Sequence, residues 1–197
     1  MEGRQGPTED ERAWWSAATA GDGDAFGRVF DLHHDRVYRH ACRLLDVRAD
    51  AEDVTASAFL ELWRRRDSVR LVAGSVLPWL LVTTGNLSRN VRRSTRRYRA
   101  LLERLPRSST AADPAEVILG HHPASWDDAL VTHLRTLSRA DLALITLVAL
   151  EGFTIAEAAD ALGISLAAAK SRLHRARHRP GLRPHLPPTL TSERSHP

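Results

Sequence analysis

A chain of 197 residues, 43% hydrophobic and 26% charged, suits one ordinary domain or two small ones and excludes both a large multidomain enzyme and a chain of disordered composition. The formal net charge is +4 and Lys170 is the one lysine among 28 basic residues, an arginine skew that permits nucleic-acid binding without requiring it. A single cysteine, Cys42, excludes an intramolecular disulfide framework and a multi-cysteine zinc ribbon or finger.

The start, Met1 to Arg12, is polar and lacks the apolar stretch of a signal peptide. The longest nearly apolar run, Leu142 to Leu150, is far short of the roughly 20 residues that span a bilayer. A cytoplasmic chain without membrane insertion is expected. Apolar residues recur at helical spacing and no stretch alternates with period two, so the fold class is all-α.

Residues 1–8 are expected to be a disordered N-terminus. Thr8 with Glu11 has the spacing of a capping box, opening a helix that carries Trp14 and Trp15 and stops at the Gly21 to Gly23 turn. A second helix from about Asp24 buries Phe26, Val29 or Phe30, Val37, Ala41 or Cys42, and Leu44 or Leu45. His33, His34 and His40 read as its surface, since their spacing is not the i, i+4 pair of a helical zinc site; no metal or cofactor is expected. Asp50 can cap a third helix with Val54, Ala58 and Leu62 in one stripe, flanked by Phe59 and Trp63. A fourth helix starts at Leu77 and Pro78, where a first turn tolerates proline, and runs to Leu105. On it Arg89, Arg92, Arg93 and Arg96 share a face, a cationic ridge that either tracks a phosphate backbone or is a solvated helix end.

Residues 106–125 turn to Pro, Ser, Thr, Ala, Gly and His, which reads as a flexible linker with a short helical piece at Ala115 to Leu119. The chain therefore divides into two small helical domains, 9–105 and 126–179, followed by a Pro-rich disordered tail, 180–197. In the second domain Ser138 with Asp141 and Thr154 with Glu157 are capping boxes, and Glu151-Gly152 ends the first run. Ala159 lies four residues before Gly163, and Ser165 caps the next helix, which is helix-turn-helix spacing. Leu166, Ala169, Leu173 and Ala176 make the inward stripe of the last helix. Ala167, Lys170, Ser171, His174 and His178 lie opposite, with Arg172, Arg175, Arg177 and Arg179 alongside. Hydroxyl and cationic groups on an exposed second helix are what major-groove reading requires.

In order, these segments resemble the extracytoplasmic-function (ECF) group of bacterial sigma-70 family sigma factors, over about Ala13 to Arg104 and Leu130 to Arg179. Gly152 to Ser165, running into Lys170-Ser-Arg-Leu-His-Arg-Ala-Arg177, is similar to the family's region 4; Ala51 to Thr55 and Phe59 to Trp63 resemble region 2.2; Trp79-Leu80 with Asn86 and Asn90 resemble regions 2.3 and 2.4. The resemblance implies an alternative sigma factor, not an enzyme, that binds core RNA polymerase and directs promoter-specific initiation. It implies a β′ clamp coiled-coil contact through Glu52, Asp53, Phe59, Glu61, Leu62 and Trp63, and a β flap contact through region 4. Minus-ten DNA would meet Asn86, Arg89, Asn90 and Arg93, with a flipped base held by the loop Asp67 to Val76. Duplex at the minus-thirty-five element would meet Ser165, Lys170, Ser171, Arg172, His174 and Arg175. An anti-sigma factor is a further implied partner.

The chain departs from the family at Ala56-Ser57, where Gln-Glu is usual, at Thr83-Thr84-Gly85, where the family tends to Ile-Ala-Arg, and at Ala168-Ala169, where Thr-Val is usual. The competing reading is a stand-alone helix-turn-helix regulator whose first domain binds another partner.

Overall fold

The structure is a computed structural model that describes residues 9–102 and 136–177. The expected N-terminus, linker, tail and helical piece at 115–119 lie outside the described residues, as do Thr8, Trp126, His178 and Arg179. Among the described residues there are seven α-helices and one π-helical turn. They are α1 (Glu9–Thr19), α2 (Gly23–Leu44), α3 (Arg48–Arg64), α4 (Leu77–Leu102), α5 (Arg139–Ile145), the π turn (Thr146–Leu150), α6 (Ile155–Leu162) and α7 (Leu166–Arg177).

The first four helices form one bundle. Asp22 caps α2 by accepting from the amides of Asp24 and Ala25, at 2.9 and 3.0 Å. Helix α2 then buries Val29, Val37, Ala41 and Leu44 along one stripe. Ala41 and Ala58 are fully buried, small enough for helices to approach closely. Phe30 and Phe59 pack with ring centroids 4.6 Å apart, and Phe26 and Trp63 at 5.0 Å, tying α2 to α3. Helix α4 closes the bundle with Leu77, Leu80 and Leu81.

Two expectations are corrected. Asp50 does not cap α3: the helix begins at Arg48 with Val47 as an N-cap that makes no side-chain bond, leaving Asp50 inside the first turn. The Thr8 partner of the expected capping box lies outside the described residues; Glu11 itself is buried and bonded to distant residues. His33 and His40 are not surface groups, since both lie on the inward stripe of α2 with Val29, Val37 and Ala41.

The second bundle follows its caps. Ser138 accepts from the Asp141 amide at 3.2 Å to open α5, and Thr154 with Glu157 completes a reciprocal capping box at the start of α6. The π turn was not legible in the sequence. Its Glu151 amide bonds back to the Thr146 carbonyl at 3.0 Å, a five-residue reach. The widened turn buries Thr146, Leu147 and Val148 in succession and delivers Glu151 against α2.

One apolar core runs through both bundles, from Trp15, Val29 and Leu80 to Leu142, Leu147 and Leu173. Around its junction the contacts turn polar. Glu151 accepts from Arg36 Nη2 at 2.6 Å and lies 3.8 Å from Arg43 Nη1. Gly85 on α4 brings the backbone near Leu142 Cδ2 and His40 Nε2, 3.8 and 3.9 Å from where a Cβ would stand.

His40 sits at this junction in a small cleft lined by Leu81, Gly85, Arg139, Leu142 and Thr146. Burial pushes its imidazole down to about 3, with the neighbouring Arg43 charge adding to the effect. Its Nδ1 is buried and without a hydrogen-bond partner. The folded chain thus favours neutral His40: that stability is complete above the unfolded value of 6.5 and is lost progressively as pH falls toward 3. In urea unfolding at pH 7 and pH 5, the wild type is expected to lose about 2 kcal/mol more between the two pH values than His40→Leu does. Equal losses in the two proteins would show that His40 does not stay neutral.

Candidate nucleic-acid interface and polymerase face

Helix α6 ends at Gly163, whose φ of +62° is a left-handed conformation that a side chain resists, and the Ile164 amide returns to the Ala159 carbonyl at 3.0 Å. Ala158 and Ala159 are buried where α6 and α7 cross. Ser165 Oγ accepts from the Ala168 amide at 3.2 Å, so it caps α7 as expected. Ala169, Leu173 and Ala176 are buried beneath α7, but Leu166 is not part of the inward stripe: it is 43% exposed. Its place in the first turn lies beyond the α6 contact.

On the opposite face Ser165, Lys170, Ser171, His174 and Arg175 are all exposed. This is a donor-rich ridge on a rigid helix, with three groups that carry or can take positive charge. Arg172 behaves differently. It is half-buried, with Nη1 3.3 Å from Asp141 Oδ1, and ties α7 to the start of α5. The sequence placed it among the DNA-facing residues because helix spacing alone does not reveal a partner 31 residues away.

On α4 the expected minus-ten residues divide the same way. Arg93 is exposed. Arg89 is half-buried and donates from Nη2 to the Leu137 carbonyl. Asn90 is exposed but its Oδ1 accepts from Arg139 Nη2 at 3.1 Å. Asn86 is half-buried in the cleft that holds His40 and Arg139. In this arrangement the second bundle sits on part of the first bundle's basic helix. The departure at Thr83-Thr84-Gly85 falls on packed backbone: Thr84 is fully buried with its hydroxyl on the Leu80 carbonyl at 2.8 Å.

The outward face of α3 is also revised. Phe59 and Leu62 are core residues, 3% and 0% exposed, and cannot meet a partner without unfolding the bundle. Glu52 and Asp53 are exposed, and Glu61 and Trp63 are half-buried. Glu52 pairs with Arg48 at 3.2 Å within the helix, and Glu61 with Arg65, the residue that follows the helix, at 3.0 Å. Leu60, 47% exposed between these charges, was missed. Its position one turn from Ala56, on the side opposite Ala58 and Leu62, was the available signal.

At the end of the loop 67–76, Val72 and Ser75 exchange backbone hydrogen bonds at 3.0 and 3.1 Å around Ala73 and Gly74, whose φ values are +52° and +80°. Val69 and Val72 are buried, while Asp67, Ser68 and Arg70 are exposed. The loop is thus anchored at defined points with a polar surface between them. Among the described residues no helix is long and apolar enough to cross a membrane.

Comparison with known proteins agrees with this architecture. Residues 29–98 match the family model for sigma-70 region 2, and residues 127–179 match that for sigma-70 region 4. The chain is 30% identical over 162 residues to the ECF RNA polymerase sigma factor BldN of Streptomyces coelicolor, covering 81% of this chain and 60% of BldN. It is 34% identical over 148 residues to SigE of Mycolicibacterium smegmatis, covering 74% of this chain and 56% of SigE. The matched part thus spans less than two thirds of each of these relatives. With SigL of Mycobacterium tuberculosis, also an ECF RNA polymerase sigma factor, identity is 30% over 162 residues, covering 81% of this chain and 88% of SigL.

Two solved structures share the fold. CnrH in complex with the cytosolic domain of CnrY aligns with a TM-score of 0.57 and 24% identity over 86% of this chain and 93% of CnrH. The sigma factor RpoE in complex with the anti-sigma factor NepR, from Bartonella quintana, aligns with a TM-score of 0.52 and 24% identity over 77% of this chain and 91% of RpoE. With helices in the expected order, a capped helix-turn-helix bearing a donor-rich face, both sigma-70 region models matched, and a match that covers 88% of SigL at 30% identity, the chain belongs to the ECF RNA polymerase sigma factors.

Proposed function

We propose that the chain is an alternative sigma factor acting in the cytoplasm: it binds core RNA polymerase, and its two bundles take separate parts of a promoter. The observation that carries this reading is the α7 face, where Lys170, Ser171, His174 and Arg175 stand in solvent above a helix fixed by Ala169 and Leu173. Arginine can meet a guanine bidentately, and lysine, serine and histidine add donors to base edges or phosphates. Region 4 is the reader of the minus-thirty-five duplex; region 2 meets the minus-ten strand through Asn86, Arg89, Asn90 and Arg93. Residues 9–105 and 126–179 are the corresponding domains, with 106–125 as the tether. On α3 the docking surface for the polymerase clamp centres on Glu52, Asp53, Leu60, Glu61 and Trp63. Region 4 meets the flap. An anti-sigma factor is a further partner in this reading; RpoE, which shares the fold, is found in complex with the anti-sigma factor NepR. Such a subunit makes and breaks no bonds itself. In vitro transcription with core polymerase on genomic DNA tests the reading: initiation from discrete start sites supports it, and operator binding without initiation would favour a stand-alone regulator.

The closed contact must open for this function. Elements roughly 25 base pairs apart are separated by some 80 Å of duplex, and bundles sharing one core cannot reach both. Arg89 and Asn90 must also leave Leu137 and Arg139 before they can meet DNA. Glu151→Arg would set a cation against Arg36 and Arg43, and is expected to lengthen the distance between spin labels on α3 and α7 in the free protein. An unchanged distance distribution would show that the ion pair does not hold the bundles together.

Reading and positioning should separate on α7. Arg175→Ala is expected to cost roughly 1–3 kcal/mol of upstream-element binding and to relax preference at one or two positions. Arg172→Ala, which breaks the tie to Asp141, is expected to lower thermal stability while keeping the same preferred sequence. Promoter-library selection with each variant checks this, and identical preferences for wild type and Arg175→Ala would remove α7 as the specific reader.

A further inference from the structure

Glu11 occupies a place for which composition gives no reason. It lies on α1, 2% exposed, and one carboxylate oxygen, Oε1, receives three hydrogen bonds. His33 Nε2 on α2 is 2.8 Å away; Ser75 Oγ and the Val76 amide, at the junction of the loop 67–76 with α4, are each 2.9 Å away. Ser75 Oγ in turn accepts from the Leu77 amide at 3.1 Å, in the first turn of α4. His33, Ser75 and Val76 are buried as well. Burial alone would push the Glu11 carboxyl up, yet the bonds from His33, Val76 and Ser75 and the attraction of the imidazole together hold it below the usual carboxylate range.

These bonds converge on the segment whose shape is least able to hold itself. Ala73 at a φ of +52° is strained for a residue with a Cβ, and Gly74 follows at +80°. Such a turn persists only when its surroundings fix it. Here the fixing groups are the two Val72–Ser75 backbone bonds and the Glu11 carboxylate behind them. Val69 and Val72 are buried on either side of exposed Arg70, so a change in the turn shifts the exposed loop surface with it.

We infer that Glu11 is a positioning residue for base selection at the opened promoter: from α1 it sets the pose of the loop 67–76 that receives an unpaired base of the minus-ten strand. The inference rests on the proposed function and on the base-receiving role that the family resemblance implies for that loop. A carboxylate suits the task because a charge-assisted acceptor binds several donors at once and, buried, holds them more tightly than a neutral acceptor. Base selection needs such definition, since a pocket displaced by an ångström loses discrimination before it loses affinity.

The test uses the full chain with core polymerase on fork templates whose minus-ten segment is already single-stranded, with each of the four bases at the selected position in competition. The ratio of best to worst base does not depend on the fraction of protein that is active, so a merely destabilised fold leaves it unchanged. Glu11→Ala is expected to reduce this ratio about fivefold while preserving preference at the minus-thirty-five element. Should that variant fail to fold, Glu11→Gln, which keeps the shape, and Ser75→Ala, which removes one of the three donors, are each expected to reduce the ratio by a smaller factor. A double variant of the exposed loop surface, Ser68→Ala with Arg70→Ala, separates the two ways of being wrong. If it flattens selection and the Glu11 and Ser75 variants do not, the carboxylate is only structural and the inference is overturned. If no variant flattens selection, the loop does not receive the base, and the inference falls with that reading.

Discussion

Helix α4 is asked to do more than any other element. Over 26 residues it must close the first bundle, support the second and carry cations that suit a nucleic acid. It meets these demands in succession along its length. Its first two turns are core, with Leu77, Leu80, Leu81 and Thr84 buried. Around Gly85 it narrows to let α5 approach, and from Arg93 onward it is exposed. A methyl group at position 85 would meet Leu142 and His40 at ordinary contact distance, so the junction has room for an alanine there but packs closely against α4 at this point, and Gly85 relieves no backbone strain. The helix propensity lost at that position is recovered by packing on both sides.

The two bundles are joined by contacts of mixed character, and the mixture decides how they can part. Inside the helix-turn-helix the contacts are apolar, among them Leu144, Leu147, Ala158, Ala169 and Leu173, and opening them would expose hydrocarbon to water. At the junction much of the holding is done by Arg36 and Arg43 on Glu151, Arg89 on a carbonyl and Arg139 on Asn90. Those groups exchange readily for water or phosphate. An arginine that left a carbonyl for a phosphate would trade one acceptor for a stronger one, so DNA bound as proposed would compete directly with the closed arrangement. The buried apolar part of the junction, chiefly Leu142 against α4, is then the part that polymerase binding would have to offset.

Much of this was legible because it is local. The caps at Ser138, Thr154 and Ser165 and the left-handed Gly163 each depend on residues within four positions, and all stand where the spacing puts them. The stripe Val54, Ala58, Leu62 follows from helical period alone. The errors have a common origin in partners far along the chain. Phe59, flanking that stripe, was read as a partner contact because the width of the α3 apolar face depends on α2 packing against it, and the resemblance placed Leu62 at the polymerase contact although it belongs to the stripe. His33 and His40 looked like surface groups because imidazole is polar, yet Glu11, 22 residues before His33, satisfies one, while the other is held neutral by burial. Arg172 and Arg89 carry the charge that DNA would want and use it on protein instead. The π turn has no signal at its own residues that a continuous helix would lack.

Two glutamates, Glu11 and Glu151, are withdrawn from water, and the difference between them separates what is permanent in this fold from what is reversible. A buried charge is tolerable only when its partners come with it. Glu11 takes its partners from within the first bundle, and its hydrogen bond with His33 joins side chains 2% and 5% exposed. To break it would leave the carboxylate with Ser75 and Val76 alone and withdraw the charge-assisted partner of a buried imidazole. None of these groups lies on the second bundle, so the network persists through any motion of that bundle. Glu151, 8% exposed, pairs across the junction with Arg36, whose side chain is 41% exposed. When the bundles separate, Arg36 is already half-solvated and Glu151 lies at the parted surface, so both rehydrate together and neither is stranded. The same chemistry therefore makes a fixed strut where both partners belong to one core, and a releasable tie where the partners lie on surfaces that can move apart.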